Sequence, residues 1–136
     1  MTDCIYLPKS VQDDIIAHAK DTLPNECCGY ITGKGNAGMT VYPMTNVDAS
    51  PVHFSFDPQD QFRVIKAARA KGEVPLVVYH SHPESPARLS NEDLRLLTDP
   101  EMVYVIVSLH NNAVDIKAYR INNRNVIPVM IREGGL

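Results

Sequence analysis

The spacing of apolar residues predicts three helices along the chain. After Ser10, whose hydroxyl can cap a helix, apolar residues recur every three or four positions until Pro24 ends the pattern. A second amphipathic segment covers residues 57–72 and opens with Asp-Pro, a capping residue followed by a first-turn proline. A third helix is predicted over residues 90–99. The segments between these helices are long enough to form strands.

Short runs rich in β-branched and aromatic residues predict a sheet. A glycine-rich stretch at residues 33–38 lies between two such runs and indicates a hairpin. The run from Leu76 to Tyr79 is continuously apolar, which is typical of a strand buried on both faces in the middle of a sheet. The predicted strands are residues 27–32, 39–44, 53–56, 76–79, 102–109, 113–121 and 126–131.

This order of helices and strands indicates one α/β domain with a mixed sheet flanked by helices. The chain has 136 residues, 44% of them hydrophobic and 21% charged, as in an ordinary folded protein with one core. Its sequence contains no internal repeat, low-complexity tract or linker. We therefore expect residues 1–136 to form a single domain.

Charge and cysteine content exclude several classes of function. With 13 basic and 16 acidic residues, the net charge is -3, so no basic surface is expected for nucleic acid. No apolar segment is long enough to span a bilayer and the N-terminus has no leader pattern, so we expect a cytoplasmic protein that does not bind membranes. The three cysteines form a poor disulfide framework and suit a reducing compartment.

The segment YHSHPESPARLSNEDL contains the candidate chemistry. Residues two apart in a strand point to one face, so His80 and His82 should project together at the carboxyl end of the central strand. Pro83 ends the hydrogen-bonding ladder there. Asp93 follows in the first turn of the third helix, and two histidines with one carboxylate and an open position are a common catalytic arrangement for zinc.

A purely structural interpretation of this segment is also available. Ser90 and Asp93 fit a capping box, in which a serine and a carboxylate three residues later satisfy backbone donors at a helix start. The conjunction of His80 and His82 with this helix start favours a metal site, because each feature would otherwise need a separate explanation. Ser90 can serve both purposes, since a cap uses the hydroxyl oxygen and leaves its proton free.

These residues resemble the signature of the JAMM metallopeptidases, a family also called JAB or MPN-plus. The match covers His80 to Pro83, then six intervening residues, Ser90, two more residues and Asp93, without a gap. The remaining catalytic residue of that family is a glutamate beside the first long helix, and Glu26 occupies that place here. The resemblance extends along nearly the whole chain and is strongest to small bacterial members. It implies the fold shared with cytidine deaminases, with zinc as the metal.

The resemblance also implies a role for each residue. His80, His82 and Asp93 would hold Zn²⁺, and Glu26 would act as the general base that carries a proton to the leaving amine. Ser90 would donate a hydrogen bond to the oxyanion. From the residues alone, a glutamate after a helix is more often a solvated charge.

The implied substrate is the C-terminal tail of a protein partner. Relatives of this kind cleave peptide or isopeptide bonds at the tail of ubiquitin or of ubiquitin-like proteins, including bacterial sulfur carriers. A chain of 136 residues has little room for the insertions of linkage-specific deubiquitinases, so a sulfur carrier with a glycine-rich tail is the preferred partner. The end of this chain, residues 132–136, resembles such a tail, although a frayed polar terminus explains it more simply.

Three other functions stay open on the sequence. They are a non-catalytic scaffold of the same fold, a RadC-like protein linked to DNA, and a zinc hydrolase of a small amide. Cys27 and Cys28 are more typical of small core residues than of metal ligands. The other histidines, His18, His53 and His110, show no partner pattern, and Glu84 and Arg88 are either substrate contacts or solvated loop charges.

Overall fold

Seven strands and three α-helices alternate along residues 3–134, the part of the chain that this computed structural model describes. The helices are α1 (Lys9–Thr22), α2 (Pro58–Ala70) and α3 (Asn91–Leu96). The strands are β1 (Cys4–Tyr6), β2 (Cys28–Lys34), β3 (Ala37–Met44), β4 (Val74–His82), β5 (Val103–Ser108), β6 (Asp115–Asn122) and β7 (Asn125–Arg132).

All seven strands belong to one mixed sheet in the order β1-β3-β2-β4-β5-β6-β7. Strand β4 runs parallel to β5 and antiparallel to β2, and β1 runs parallel to both β3 and β7. Because β1, the first strand in this order, pairs with β7, the last, as well as with β3, the sheet closes on itself. The predicted mixed sheet flanked by helices is confirmed, with β4 as a central strand.

Two apolar cores lie on opposite faces of β4. Helix α1 packs across β3, β4 and β5, where Ile15 and Tyr79 are fully buried. Helix α2 packs on β2 and β4, where Val64 and Val78 join a second cluster. Each buried aliphatic side chain of this kind contributes about 1.5–3 kcal/mol to folding. Strand β4 is therefore held on both faces, which fixes the position of the side chains at its carboxyl end.

Two predicted elements differ from the structure. Ser10 lies inside α1, which begins at Lys9 after Pro8 without a side-chain cap, so the predicted capping role of Ser10 is wrong. Residues 53–56 are not a strand, because their backbone bonds with a neighbouring loop instead of a sheet. The Ser55 carbonyl accepts from the Val47 N–H at 3.1 Å, and the His53 carbonyl accepts from the Asn46 side chain at 3.0 Å.

The other predicted elements agree with the structure to within a few residues, and β1 was not predicted. Asp57 caps α2 by accepting from the Gln59 N–H at 2.9 Å, as its Asp-Pro start predicts. Helix α3 is shorter than predicted and ends at Leu96. The tail-like segment at residues 132–136 ends in Gly135 and Leu136, which lie outside the described residues.

No described helix has the length and apolar character needed to cross a membrane.

Candidate metal centre

The carboxyl end of β4 presents two histidines on the α2 face of the sheet. His80 and His82 project there, with ring centroids 5.0 Å apart, whereas Tyr79 lies in the core on the α1 face. His80 is fully buried and His82 is 4% exposed. The period-two alternation of the strand thus brings both imidazoles to one site at the end of the central strand.

Asp93 completes a triangle of donor atoms with these histidines. Its Oδ2 lies 3.2 Å from His80 Nε2 and 3.1 Å from His82 Nε2, and the two Nε2 atoms are 3.1 Å apart. Ligands about 2.0–2.1 Å from a tetrahedral zinc ion are themselves separated by about 3.3 Å. The donor set of two imidazole nitrogens and one carboxylate oxygen therefore fits a single zinc ion.

Hydrogen-bond partners outside the triangle orient two of the three side chains, His82 and Asp93, for this role. His82 Nδ1 lies 2.9 Å from the Pro86 carbonyl oxygen, so Nδ1–H donates there and Nε2 keeps a free lone pair. Ser90 N–H donates to Asp93 Oδ2 at 3.0 Å, and Ser90 Oγ accepts from Asp93 N–H at 3.0 Å. The capping box is thus present, and the same residues present the carboxylate to the histidines.

The electrostatics of the site favour neutral His80 beside an ionised Asp93. Burial lowers the pKa of His80, so its ring stays neutral. Burial alone would raise the pKa of Asp93, but hydrogen bonds from the two histidines and from Ser90 N–H lower it well below its usual range. For His82, contacts with Asp93 and the Pro86 carbonyl outweigh burial and raise the pKa. A neutral imidazole and a carboxylate are the protonation states that a metal requires.

Glu26 lies beside this triangle without joining it. It precedes β2, is 3% exposed, and its Oε1 has no hydrogen-bond partner among the described residues. Burial raises the pKa of Glu26 to about 8, with a further increase from Asp93 and a partial offset from His82. The Glu26 carboxyl group therefore lies within electrostatic range of His82 and Asp93, and it holds its proton below about pH 8.

The raised pKa predicts a pH-dependent stability of the metal-free protein. The unfolded chain releases the Glu26 proton near pH 4.5, whereas the folded chain holds it until about pH 8. Between these values the folded state binds more protons, so rising pH should destabilise it by on the order of 1 kcal/mol per pH unit. In urea unfolding with chelator, the free energy of unfolding should fall more steeply with pH in the wild type than in Glu26→Gln, by about this slope. Parallel curves for the two proteins would contradict the burial of an ionisable Glu26.

A cavity of about 330 Å³ adjoins the site and shares Asp93 with it. Its walls are mainly aromatic and aliphatic, with a few carboxyl, amide and hydroxyl groups. They comprise Tyr30, His53, Phe54, Ser55, Phe56, Gln61, Val78, Glu92, Leu96, Leu97, Asp99, Met102 and Tyr104. Phe54 also stacks on the His80 ring, with centroids 4.8 Å apart. An apolar cavity with a few convergent polar groups beside a metal site is a typical ligand-binding position.

Cys27 and Cys28 lie close to the site but outside the donor triangle. Cys27 belongs to the core on the α1 face, and Cys28 pairs with His80 in the β2–β4 register. Burial raises the pKa of Cys27 to about 11 and that of Cys28 to about 12. Both therefore carry neutral thiols, as the sequence interpretation of small core residues expects.

The remaining histidines each have a partner that sequence inspection missed. His18 Nδ1 lies 2.7 Å from the Tyr79 hydroxyl, and His53 Nδ1 lies 3.0 Å from Asp48 Oδ2. His110 Nδ1 lies 3.0 Å from the Glu84 carbonyl oxygen. These contacts join residues that are distant in sequence or lie in irregular loops, so no local pattern could reveal them. None of these three histidines belongs to the donor triangle among the described residues.

Comparison with known proteins identifies the family. A mixed sheet with two histidines and an aspartate at the end of its central strand defines a candidate metal-binding α/β domain. Residues 8–122 match the model for prokaryotic homologs of the JAB domain. The chain belongs to this family, and the JAB resemblance stated from the sequence is confirmed.

Individual relatives agree with this assignment. The chain is 36% identical over 110 residues to the CysO-cysteine peptidase of Mycobacterium tuberculosis, covering 79% of this chain and 75% of that protein. It is 32% identical over 111 residues to the desampylase of Haloferax volcanii, covering 76% and 80%. A solution structure of a Desulfitobacterium hafniense protein is similar with a TM-score of 0.85 and 41% identity, covering 93% of this chain and 90% of that one.

Proposed function

We propose that this protein is a zinc-dependent peptidase that cleaves a peptide or isopeptide bond at the C-terminal tail of a ubiquitin-like protein, preferably a sulfur carrier. The names of the two relatives support hydrolysis, since one is a CysO-cysteine peptidase and the other a desampylase. The geometry that supports it most directly is the triangle of donor atoms, 3.1 to 3.2 Å on each side, next to the buried carboxyl of Glu26.

In this proposal His80, His82 and Asp93 hold the ion. When bound, zinc supplies Lewis-acid chemistry that brings the pKa of a coordinated water to about 7. Glu26 accepts the water proton at its free carboxylate and delivers it to the leaving amine. The positive charge of the ion should lower the pKa of Glu26 from its metal-free value of about 8, so that the base is ionised at neutral pH.

In this proposal Ser90 stabilises charge on the carbonyl oxygen of the scissile bond. Its Oγ accepts from Asp93 N–H at 3.0 Å, which leaves the hydroxyl proton free to donate. The side chain is exposed at the start of α3, where a substrate carbonyl can reach it. This arrangement supports the oxyanion role that the resemblance implies for Ser90.

We expect Ser90→Ala to lower kcat by about 100- to 1000-fold, as for loss of one oxyanion donor. Zinc content should not change, because the Ser90 N–H that orients Asp93 is a backbone group and is retained. Steady-state kinetics with metal analysis would test this. Ser85→Ala is a matched control in the same exposed loop, since only the carbonyl of Ser85 makes a described contact. An unaltered kcat in Ser90→Ala would remove the oxyanion role.

Burial of the ligands favours a narrow substrate. His80, His82 and Asp93 are 0%, 4% and 7% exposed, so bulky side chains next to the scissile bond would be obstructed. An extended tail that ends in glycines has no side chains there, and larger residues upstream could bind in the aromatic cavity beside Asp93. These features support a glycine-rich protein tail as the substrate.

The same cavity supports a second candidate function. A volume of about 330 Å³ is large enough for a small organic ligand, so a zinc hydrolase of a small amide fits the site as well. The chemistry would be the same in both cases, and only the leaving and acyl groups would differ. A direct substrate test is therefore needed to separate the two functions.

Intact mass spectrometry of a candidate carrier tests the proposal. The zinc-loaded protein is incubated with a ubiquitin-like sulfur carrier that bears one extra residue after its terminal glycines. We expect the carrier to lose the mass of that residue, and the loss to disappear with chelator or in Glu26→Gln. Unchanged mass with every such carrier, together with hydrolysis of small amides, would favour the second function.

A further inference from the structure

The hydrogen-bond ladder between β2 and β4 changes character at Cys27. Cys28 pairs with His80, so the next pair in the register is Cys27 with Ser81. In an antiparallel pair of this type each backbone N–H normally donates to the carbonyl opposite. Ser81 N–H does donate to the Cys27 carbonyl at 3.1 Å, but Cys27 N–H donates to the Ser81 hydroxyl oxygen at 2.7 Å. The Ser81 side chain has replaced one backbone acceptor, and the chain before β2 diverges from the sheet at this point.

The residue just outside this junction is Glu26. Its N–H donates to the Ser50 carbonyl at 2.8 Å, and its carbonyl accepts from the Asn46 side chain at 3.1 Å. With the bond from Cys27 to Ser81, both peptide groups that flank the Glu26 α-carbon are held. The Glu26 Oε1 has no partner among the described residues. The backbone of this residue is therefore fixed while its carboxyl remains available.

We propose that Ser81 is a positioning residue that directs Glu26 toward the metal site. This inference rests on the proposed role of Glu26 as the general base. Ser81 is fully buried and projects to the opposite face from His80 and His82, so it does not itself face the donor triangle. The Ser81 hydroxyl accepts a hydrogen bond from Cys27 N–H where the chain before β2 diverges from β4. This hydrogen bond connects the segment that contains Glu26 to the strand that contains His80 and His82.

Loss of the hydroxyl should displace Glu26 while leaving the ligands in place. A buried N–H without an acceptor is strongly unfavourable, so Cys27 would shift toward the Ser81 carbonyl or toward water. Either movement changes the position of the adjacent Glu26. A misplacement of about 1 Å in a reacting group can lower the rate by about 100-fold. His80 and His82 are held by the ladders to β2 and β5 and should still bind zinc.

A double-mutant cycle tests whether Ser81 acts through Glu26. We expect Ser81→Ala to lower kcat by about 10- to 100-fold with little change in KM or zinc content. In the Glu26→Gln background the same substitution should have almost no further effect on the residual rate. Ser81→Thr keeps the acceptor and should restore most of kcat. Equal losses in both backgrounds, or failure of threonine to restore the rate in a folded, zinc-loaded protein, would overturn the proposal.

Amide hydrogen exchange provides a test that needs no substrate. The Cys27 amide should exchange at least about 10-fold faster in Ser81→Ala than in the wild type, with or without zinc. Thr32→Val is a matched control, because it removes another buried hydroxyl contact, between Thr32 in β2 and Glu73 Oε1 at 2.8 Å. It should leave Cys27 exchange and kcat unchanged. A Cys27 amide that stays protected in Ser81→Ala would contradict the positioning role of Ser81, even if no carrier is cleaved. A wild-type protein that cleaves no carrier would count against the proposed peptidase function alone.

Discussion

Glu26→Gln is expected to lower kcat by about 100- to 10,000-fold while the protein keeps its zinc. The amide has nearly the shape of the carboxyl but cannot accept a proton. Glu26 lies outside the donor triangle, so zinc content and KM should change little. Steady-state cleavage of the carrier, measured with the metal content of the same preparation, would show this combination.

Glu73→Gln is the appropriate control for this experiment. Glu73 is also buried, but its carboxylate bonds with Thr32 and Thr40, away from the metal site. Neutralising it should affect stability and leave kcat unchanged. A Glu26→Gln enzyme with wild-type kcat, or one that has lost its zinc, would show that Glu26 is not a base acting beside the ion.

His80→Ala should remove bound zinc and reduce turnover to the background rate, while the protein stays folded. The His80 ring stacks on Phe54 beside the second apolar core, but the buried apolar side chains of both cores are retained, so most of their packing should survive. Truncation of a fully buried side chain should still destabilise the protein by about 2–4 kcal/mol. Metal analysis together with circular dichroism and thermal unfolding would measure both effects.

The matched control for His80→Ala is His18→Ala. This substitution removes a half-buried histidine that forms a hydrogen bond with Tyr79, the neighbour of His80 in the chain. His18 belongs to no candidate metal site among the described residues. Its zinc content and kcat should match the wild type. Full zinc occupancy in His80→Ala would contradict the assignment of His80 as a ligand. Unfolding of the wild type on chelation would contradict a fold that is stable without the metal.

The features of the fold that follow from local patterns were predictable. The continuous apolar run before Tyr79 predicted a central strand, and the glycine-rich turn predicted the β2–β3 hairpin. Strand β1 was not predicted, because three residues are too few for a periodicity and its partners in β7 lie more than 100 positions away. Ser10 was predicted to cap α1 because its hydroxyl suits that role, but the helix begins earlier, after Pro8.

The arrangement of the candidate site could be predicted to the extent that its geometry is local. His80 and His82 share a face because strands alternate, and Asp93 follows within one loop. Glu26 could be placed only through the family resemblance, since its proximity to the ligands depends on pairing between β2 and β4. The contact from Ser81 to Cys27 spans 54 positions and substitutes a side chain for a backbone acceptor, so no sequence pattern signals it.

Anomalous diffraction from crystals of the zinc-loaded protein would test the central claim most directly. We predict one zinc peak about 2.0–2.2 Å from His80 Nε2, His82 Nε2 and Asp93 Oδ2, with the fourth position open to solvent and the Glu26 carboxyl nearby but not bound. A peak at other side chains, a zinc ion ligated by Glu26, or no peak between the two imidazoles would contradict the account.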